Sequence, residues 1–264
     1  MMLIVMSSFF CLAQSTMEVE ADTLVGRQEY AKALPMYDKL IAKSKMKDEA
    51  DYQLYYKRSV CHYGLENYDA ALADINKLIE KYPNPQAKLL RAYINQEREE
   101  YAALIDDLND IIASNPGSPE LVQWRASAYM EAGKYEEARD DIKTLLNYNP
   151  VPELKAFLGL TYYYQGDSDS AIVIFDEVLE EKPTFLQAYV YASSMCLDEQ
   201  AYELALSYIN KGLALEPENT TLIFYKGIAL VETEKEEEGC RCLTQAFNEG
   251  LDDVADYLKE YCYQ

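Results

Sequence analysis

Proline is the residue that most constrains this chain, because eight of its nine prolines recur with one period. The first series steps by 33 or 34 residues and consists of Pro83, Pro116, Pro150, Pro183 and Pro217. The second series has the same steps and consists of Pro85, Pro119 and Pro152. A constant period of this size is typical of stacked repeats, each of which buries its apolar face against its neighbours. The sequence therefore predicts an array of repeats.

Small and bulky side chains keep fixed positions in the repeats when the proline of the first series is counted as position 32. Position 8 is always small and is occupied by Ala21, Ser59, Ala92, Ala126, Gly159, Ser193 and Gly227. Position 20 is Leu104 in the third repeat and small in the others, which have Ala33, Ala71, Ala138, Ala171, Ala205 and Gly239. Position 24 is bulky and is occupied by Tyr37, Ile75, Leu108, Ile142, Phe175, Ile209 and Leu243. The pattern predicts two helices per repeat that approach closely at the small residues and end at proline.

The repeat resembles that of the tetratricopeptide repeat family. Residues 119–150 match it most clearly, with a small residue at position 8, aromatic residues at 11 and 17, Gly133 at 15, alanine at 20 and proline at 32. The resemblance implies an all-α fold, a right-handed α-solenoid of about seven helix-turn-helix repeats over residues 14–251. We expect residues 252–264 to form a C-terminal capping helix, because the last repeat of an array exposes an apolar face.

Residues 1–13 have the features of a signal peptide. They are almost entirely apolar, and Cys11 and Ala13 would occupy the −3 and −1 positions of a cleavage site before Gln14. The stretch is too short to span a bilayer, and no other stretch is apolar enough for a transmembrane helix. We therefore expect export to the periplasm or cell envelope of a bacterium. No lysine or arginine precedes the apolar core, which leaves a cytoplasmic protein as the alternative.

The charge of the chain is strongly negative, with 46 acidic and 24 basic residues and a net charge of −22. Binding to nucleic acid depends on neutralising phosphates with basic residues, so nucleic acid is an unsuitable partner. Attachment to an anionic membrane surface is disfavoured for the same reason. The acidic surface either maintains solubility or attracts a basic partner.

The sequence contains no pattern of residues that indicates catalysis. It has no serine–histidine–acid constellation, no phosphate-binding glycine loop and a single histidine, His62. We therefore expect no enzymatic activity and no cofactor. The six cysteines lack zinc-ligand spacing, so no metal is expected either. Cys240, Cys242 and Cys262 lie near the C-terminus, where a pair of them could form a disulfide after export.

The family resemblance implies a binding groove lined by positions 2, 5, 9, 12 and 13 of the first helices. The candidate groove residues are Tyr56, Tyr63, Leu89, Tyr93, Met130, Leu160, Tyr163, Tyr164 and Phe224. Tyrosine suits such a surface because it offers a large contact area and a hydroxyl group, although some of the 24 tyrosines could serve packing alone. The predicted function is a non-enzymatic adaptor or scaffold that binds a protein or peptide, with a basic segment favoured by charge. The alternative is a structural subunit of a cell-envelope complex that assembles through its outer or end surfaces.

Arginine and aspartate also recur together. Position 7 is arginine in repeats two to four, at Arg58, Arg91 and Arg125, and position 23 is aspartate in the same repeats, at Asp74, Asp107 and Asp141. Repeats five and six lack both, and have Leu158 with Ile174 and Ala192 with Tyr208. The joint loss predicts ion pairs between the two positions, within a repeat or between neighbouring repeats.

Overall fold

The computed structural model describes residues 16–252 and 254–263, all of which are in helices or the turns that join them. The predicted signal peptide, residues 1–13, and its cleavage site before Gln14 lie outside the described residues. The fold is the all-α repeat solenoid that the sequence predicts. The chain forms two compact units, one that ends at Gly133 and one that begins at Lys134.

Over its described residues, 16–133, the first unit consists of seven helices. They are α1 (residues 16–26), α2 (Tyr30–Lys43), α3 (Glu49–Gly64), α4 (Tyr68–Lys81), α5 (Pro85–Glu97), α6 (Tyr101–Ser114) and α7 (Pro119–Glu131). Odd-numbered helices are the first helices of the repeats and even-numbered helices are the second ones. Turns of three residues join the two helices of each repeat, such as residues 65–67 between α3 and α4, and so short a turn makes the two helices antiparallel neighbours.

The second unit continues the same alternation. Its helices are α8 (Tyr135–Tyr148), α9 (Pro152–Tyr164), α10 (Ser168–Glu181), α11 (Leu186–Asp198), α12 (Tyr202–Leu215), α13 (Thr220–Glu232), α14 (Glu236–Asn248) and α15 (Val254–Tyr257). A π-helical turn, Leu258–Cys262, follows α15 directly. The side chains of Val254 and Leu258 are buried and pack with Leu243 of the last repeat.

Proline determines where several first helices begin. Pro85, Pro119 and Pro152 are the first residues of α5, α7 and α9, where the missing N–H of proline costs no hydrogen bond. At the start of α5, the Asn84 side chain accepts a hydrogen bond from the Ala87 N–H. Capping of this kind pairs an N–H group that the helix itself cannot satisfy.

Every repeat has a left-handed residue at position 15, where its first helix turns into its second. In repeats four and five this residue is a glycine, Gly133 with φ of 70° and Gly166 with φ of 82°. The other five repeats use residues that disfavour this conformation, with φ of 57° to 62° at Gln28, Glu66, Glu99, Gln200 and Glu234. The three-residue turn therefore requires the left-handed conformation even where the residue disfavours it, which costs about 1 kcal/mol for each of these five residues.

Small residues allow the two helices of a repeat to approach closely, as the sequence predicts. A Cβ atom added at Gly159 would lie 2.8 Å from the Phe175 ring, and one at Gly239 would lie 2.9 Å from the Gly227 carbonyl oxygen. These distances are too short for an alanine without movement of the neighbouring atoms. Close packing at positions 8 and 20 is thus a physical requirement in both repeats.

In repeats two and three, the predicted ion pairs form within the repeat. Arg58 donates from Nε and Nη2 to the two carboxylate oxygens of Asp74, at 2.6 and 2.8 Å. Arg91 pairs with Asp107 in the same bidentate way, at 2.8 and 2.7 Å. Each of these two arginines also donates from Nη1 to position 25 of the preceding repeat, Arg58 to Asp38 at 2.6 Å and Arg91 to Asn76 at 2.8 Å. The buried carboxylates of Asp74 and Asp107 are thereby paired, and each of the two arginines links two repeats.

A disulfide closes the C-terminal end of the second unit. Cys240 on α14 is bonded to Cys262 in the π-helical turn, with their Cα atoms 5.7 Å apart. Cys242 is free, and so are the buried Cys61 and Cys196. The pairing that the sequence left open is therefore Cys240–Cys262, and it ties the last helical segment to the last repeat.

Candidate functional site

The candidate residues of the first unit lie on α3, α5 and α7. Tyr56 is half-buried, and its hydroxyl accepts a hydrogen bond from Gln86 Nε2 at 3.4 Å. Tyr63 packs its ring against Tyr68 of α4, with the ring centroids 5.9 Å apart. Leu89 and Met130 are half-buried. Tyr93 is the most exposed of the five, with 45% of its surface accessible.

Tyr93 of α5 and Trp124 of α7 form an aromatic pair between two neighbouring repeats. Their ring centroids are 4.7 Å apart and their planes are inclined by 31°. The Trp124 indole Nε1 donates a hydrogen bond to Gln96 Oε1 at 2.5 Å, which fixes the orientation of the ring. The pair is therefore a preformed aromatic surface that remains partly open to solvent.

A cleft of about 400 Å³ lies beside Trp124 and is called the α5–α7 cleft below. Its floor is apolar, because Leu104 and Ala128 are buried there. Its lining residues are Gln96, Glu97, Glu99, Tyr101, Leu104, Trp124, Ser127, Ala128 and Glu131. A concave site with an apolar floor and a few polar groups is the usual form of a binding site for a small group.

The carboxylates of the α5–α7 cleft give it a negative potential. Burial raises the pKa of the Tyr101 hydroxyl, and the charges of Glu131 and Glu99 raise it further. Burial likewise raises the pKa of Tyr63, and the Glu97 charge beside it adds to the shift. Among residues 16–252 and 254–263, no lysine or arginine forms an ion pair with Glu97, Glu99 or Glu131. The cleft is thus suited to a positively charged group.

The candidate residues of the second unit are more firmly tied to their neighbours. The Tyr163 hydroxyl donates a hydrogen bond to Asp198 of α11, and burial followed by this carboxylate raises the pKa of Tyr163. Tyr164 is 53% exposed and stacks on Tyr135, with ring centroids 5.5 Å apart. Leu160 packs against the core of the unit. The Tyr163 and Tyr164 rings also contact each other, with centroids 5.1 Å apart, and form a small aromatic surface.

Phe224 has a different environment from the other candidates. Its ring meets the Tyr257 ring of α15 edge to face, with centroids 5.3 Å apart. It also lies 5.9 Å from the Tyr225 ring and packs with the core that includes Val254 and Leu258. The C-terminal segment therefore covers part of this side chain, which has a packing role whatever else it does.

None of the nine candidate residues lines the α5–α7 cleft, although Gln96, Glu97, Ser127 and Glu131 of its lining occupy groove positions 9, 12 and 13. Its two aromatic residues, Trp124 at position 6 and Tyr101 at position 17, lie outside the five positions that the family resemblance assigns to a groove. One signal could have found Trp124, which is the single tryptophan of the chain. Its pairing with Tyr93 depends on how α5 and α7 pack, and no periodicity of the sequence indicates that.

The part of the chain that the structure describes contains no group of three or more histidine, cysteine or carboxylate side chains that could hold a metal ion. Nor does any helix in that part have the length and hydrophobicity needed to cross a bilayer.

Solved structures from two bacteria resemble this fold. A tetratricopeptide repeat protein from Parabacteroides merdae superposes with a TM-score of 0.67 and 16% identity, over 94% of this chain and 98% of that chain. The C-terminal part of a TPR repeat-containing protein from Cytophaga hutchinsonii superposes with a TM-score of 0.63 and 19% identity, over 90% and 97% of the two chains. At these identities the likeness establishes the fold alone.

Sequence comparison finds relatives in animals. The human mitochondrial import receptor subunit TOM70 is 22% identical over 242 residues, which are 85% of this chain and 40% of that protein. The protein SGT1 homolog of Bos taurus is 32% identical over 107 residues, which are 40% of this chain and 28% of that protein. The chain therefore spans less than half the length of these relatives.

The model of the tetratricopeptide repeat family matches four overlapping stretches of the chain, residues 19–84, 56–119, 124–184 and 158–220. The matches include the first and second helices of successive repeats in both compact units. Because they cover well over half of the sequence, the chain belongs to the tetratricopeptide repeat family.

Proposed function

We propose that this protein is a non-enzymatic adaptor that binds a segment of another protein on the first-helix face of its repeats. Proteins of this family generally act through protein–protein interaction, because stacked repeats offer extended binding surfaces. The observation that carries the proposal is the α5–α7 cleft, which Trp124 lines together with Glu97, Glu99 and Glu131, and the exposed Tyr93 ring that packs against Trp124.

The bound segment is basic in this proposal. Glu97, Glu99 and Glu131 surround the cleft, and the whole chain has a net charge of −22. Such a field accelerates the approach of a positive partner and is screened by salt. Association should therefore weaken as the ionic strength rises.

Tyr93 is the residue whose removal tests the binding face most directly. Tyr93→Ala should weaken binding of the partner by about 1 kcal/mol or more, because exposed aromatic side chains often anchor an interface. Tyr148→Ala is the matched control, since Tyr148 is 81% exposed on the second helix α8. Equal affinities of both variants and the wild type would move the binding site away from this face.

We also propose that the protein works outside the cytoplasm after removal of residues 1–13. The apolar N-terminal sequence supports this, and so does the Cys240–Cys262 disulfide, because disulfides persist mainly in oxidising compartments. Fractionation and N-terminal sequencing should find a product that begins at Gln14. An intact Met1 on a cytosolic product would contradict export.

One observation favours the alternative function, a structural subunit of a cell-envelope complex. Exposed large apolar side chains occur on the second helices of the second unit: Tyr148, Val173, Leu204, Leu215 and Phe247. Exposed apolar groups on one face can mark an assembly surface when they form a patch. Here they are spread over α8, α10, α12 and α14, so the adaptor is the better supported function.

Photo-crosslinking distinguishes the two functions. A photoreactive phenylalanine derivative would replace Ser127, which is exposed in the α5–α7 cleft, or Leu204, which is exposed on α12. An adaptor gives a defined protein adduct from position 127 in cells that naturally express the chain, and Trp124→Ala abolishes it. Adducts from position 204 alone would contradict the adaptor and establish the structural subunit.

A further inference from the structure

The α5–α7 cleft combines an aromatic wall with carboxylates from three separate points of the chain. Trp124 projects from α7 and is backed by the Tyr93 ring of α5 at 4.7 Å. Glu97 is the last residue of α5, Glu99 lies in the turn that follows, and Glu131 is the last residue of α7. The aromatic pair and the acidic groups are independent features, and both attract a cation.

We propose that the α5–α7 cleft binds a single arginine side chain of the partner segment. The guanidinium group lies against the Trp124 indole, and its N–H groups donate to Glu97 and Glu131. This inference rests on the proposed function, because it specifies which side chain of a bound basic segment enters the cleft. The volume of about 400 Å³ fits one or two side chains rather than a folded domain.

The geometry favours arginine over lysine. A guanidinium is planar, stacks on aromatic rings and donates five hydrogen bonds in a fixed fork, whereas an ammonium is a compact and strongly hydrated charge. The planar indole of Trp124 lines the cleft, and the Tyr93 ring packs against it with the centroids 4.7 Å apart. The Glu97 charge raises the pKa values of the neighbouring Tyr63 and Tyr68 hydroxyls, yet a carboxylate has about four acceptor sites and can bind further donors.

Trp124 provides a direct measurement, because it is the only tryptophan of the chain. Its indole N–H gives one resonance in a nitrogen-15 correlation spectrum of the full chain. The probes are three peptides, acetyl-Gly-Gly-X-Gly-Gly-amide, in which X is arginine, lysine or citrulline. The arginine peptide should shift the indole resonance in a saturable manner, with affinity about fivefold or more above that of lysine. Citrulline has the same shape without the charge and should cause no saturable shift.

Glu131→Gln should weaken binding of the arginine peptide about fivefold, because the guanidinium group would then donate to a neutral amide oxygen instead of a carboxylate. Glu137→Gln is the matched control, which removes the same charge from an exposed position of the second helix α8. Both substitutions replace exposed side chains, and circular dichroism should confirm the fold. The absence of a saturable shift, equal shifts by arginine and citrulline, or equal effects of the two variants would overturn the inference.

This inference and the proposed function can fail separately. A protein adduct from position 127 without an arginine-dependent shift of the Trp124 resonance would leave the adaptor intact and eliminate the arginine site. An arginine-selective shift without such an adduct would establish the arginine site and contradict the adaptor.

Discussion

Repeats three and six use different side chains to link their second helix to the second helix of the preceding repeat. In repeat three, Arg91 pairs with the buried Asp107 of its own repeat and donates to Asn76 of the preceding repeat at 2.8 Å. In repeat six, Tyr208 takes the place of the aspartate, and its hydroxyl donates to Asp176 of the preceding repeat at 2.7 Å. Asn76 and Asp176 occupy the same position, number 25. Both repeats therefore link one second helix to the one before it.

The comparison shows that the helix pair does not depend on the ion pair. Repeats five and six form the same two helices as repeats two and three, although they lack both the arginine and the aspartate. All four have a small, buried residue at position 8, which is Ser59, Ala92, Gly159 or Ser193. In repeat three, Arg91 neutralises the buried charge of Asp107. Repeat six has the uncharged Tyr208 at the same position and therefore no buried charge to neutralise. The energetic consequences of breaking the two links should therefore differ.

The largest expected effect is that of Arg91→Ala. Asp107 is only 1% exposed, so loss of its partner leaves a buried charge uncompensated, and we expect a decrease of about 3 kcal/mol in the free energy of unfolding. Lys88→Ala is the control, since Lys88 pairs with the exposed Asp110 on the same helix pair and should cost less than about 1 kcal/mol. Urea denaturation measures both. Equal losses would show that Asp107 is not an obligate ion-pair partner.

A double-mutant cycle sharpens the assignment of partners. Arg91 Nη2 and Asp107 Oδ1 form a salt bridge at 2.7 Å. The effects of Arg91→Ala and Asp107→Ala on the free energy of unfolding should therefore be coupled by about 2 kcal/mol. The cycle of Arg91 with Asp74 should be additive, because Asp74 is bonded to Arg58. Additivity in the first cycle, or strong coupling in the second, would contradict the pairing within a repeat.

Tyr208→Phe should cost about 1.5 kcal/mol, because the buried Tyr208 hydroxyl donates to the Asp176 carboxylate and hydrogen bonds to charged groups contribute more than neutral ones. The effect should depend on pH, because burial, followed by the Asp176 hydrogen bond, raises the pKa of Tyr208. A raised pKa in the folded state contributes stability that is present below the unfolded value of about 10 and is lost as the pH rises above it. Denaturation between pH 8 and about 11 should therefore show a steeper loss for the wild type than for Tyr208→Phe. Parallel curves would be inconsistent with this role of the hydroxyl.

The smallest effect concerns position 15, where repeats two and five differ. Repeat two has Glu66 in the left-handed conformation, with φ of 60°, and repeat five has Gly166, with φ of 82°. Glu66→Gly should stabilise the protein by about 0.5 kcal/mol, and Gly166→Ala should destabilise it by about 1 kcal/mol. A Cβ at Gly166 would meet no atom within 4 Å, so backbone strain alone is tested. The melting temperatures of both variants measure these changes in stability. Shifts of the same sign in the two melting temperatures would refute the explanation.

Much of the fold could be predicted from the sequence, whereas little of the candidate site could. The period, the small residues at positions 8 and 20 and the proline positions each depend on local spacing, and helices translate spacing directly into faces. The site depends on contacts between residues of different repeats. Tyr93 was predicted as a groove residue, but its partner Trp124 was not, since their contact arises from the packing of α5 against α7.

The amino-acid pattern was enough to predict the family, the helix starts marked by proline and the residue types that form ion pairs. Which of these side chains pair with each other depends on the tertiary packing. The structure pairs Arg58 with Asp74 inside one repeat, joins Cys240 to Cys262 rather than to Cys242 and covers part of Phe224 with Tyr257. The physical reason is that a repeating pattern specifies which face of a helix is apolar or small, whereas the neighbour of a given side chain depends on how far and at what angle the next helix lies.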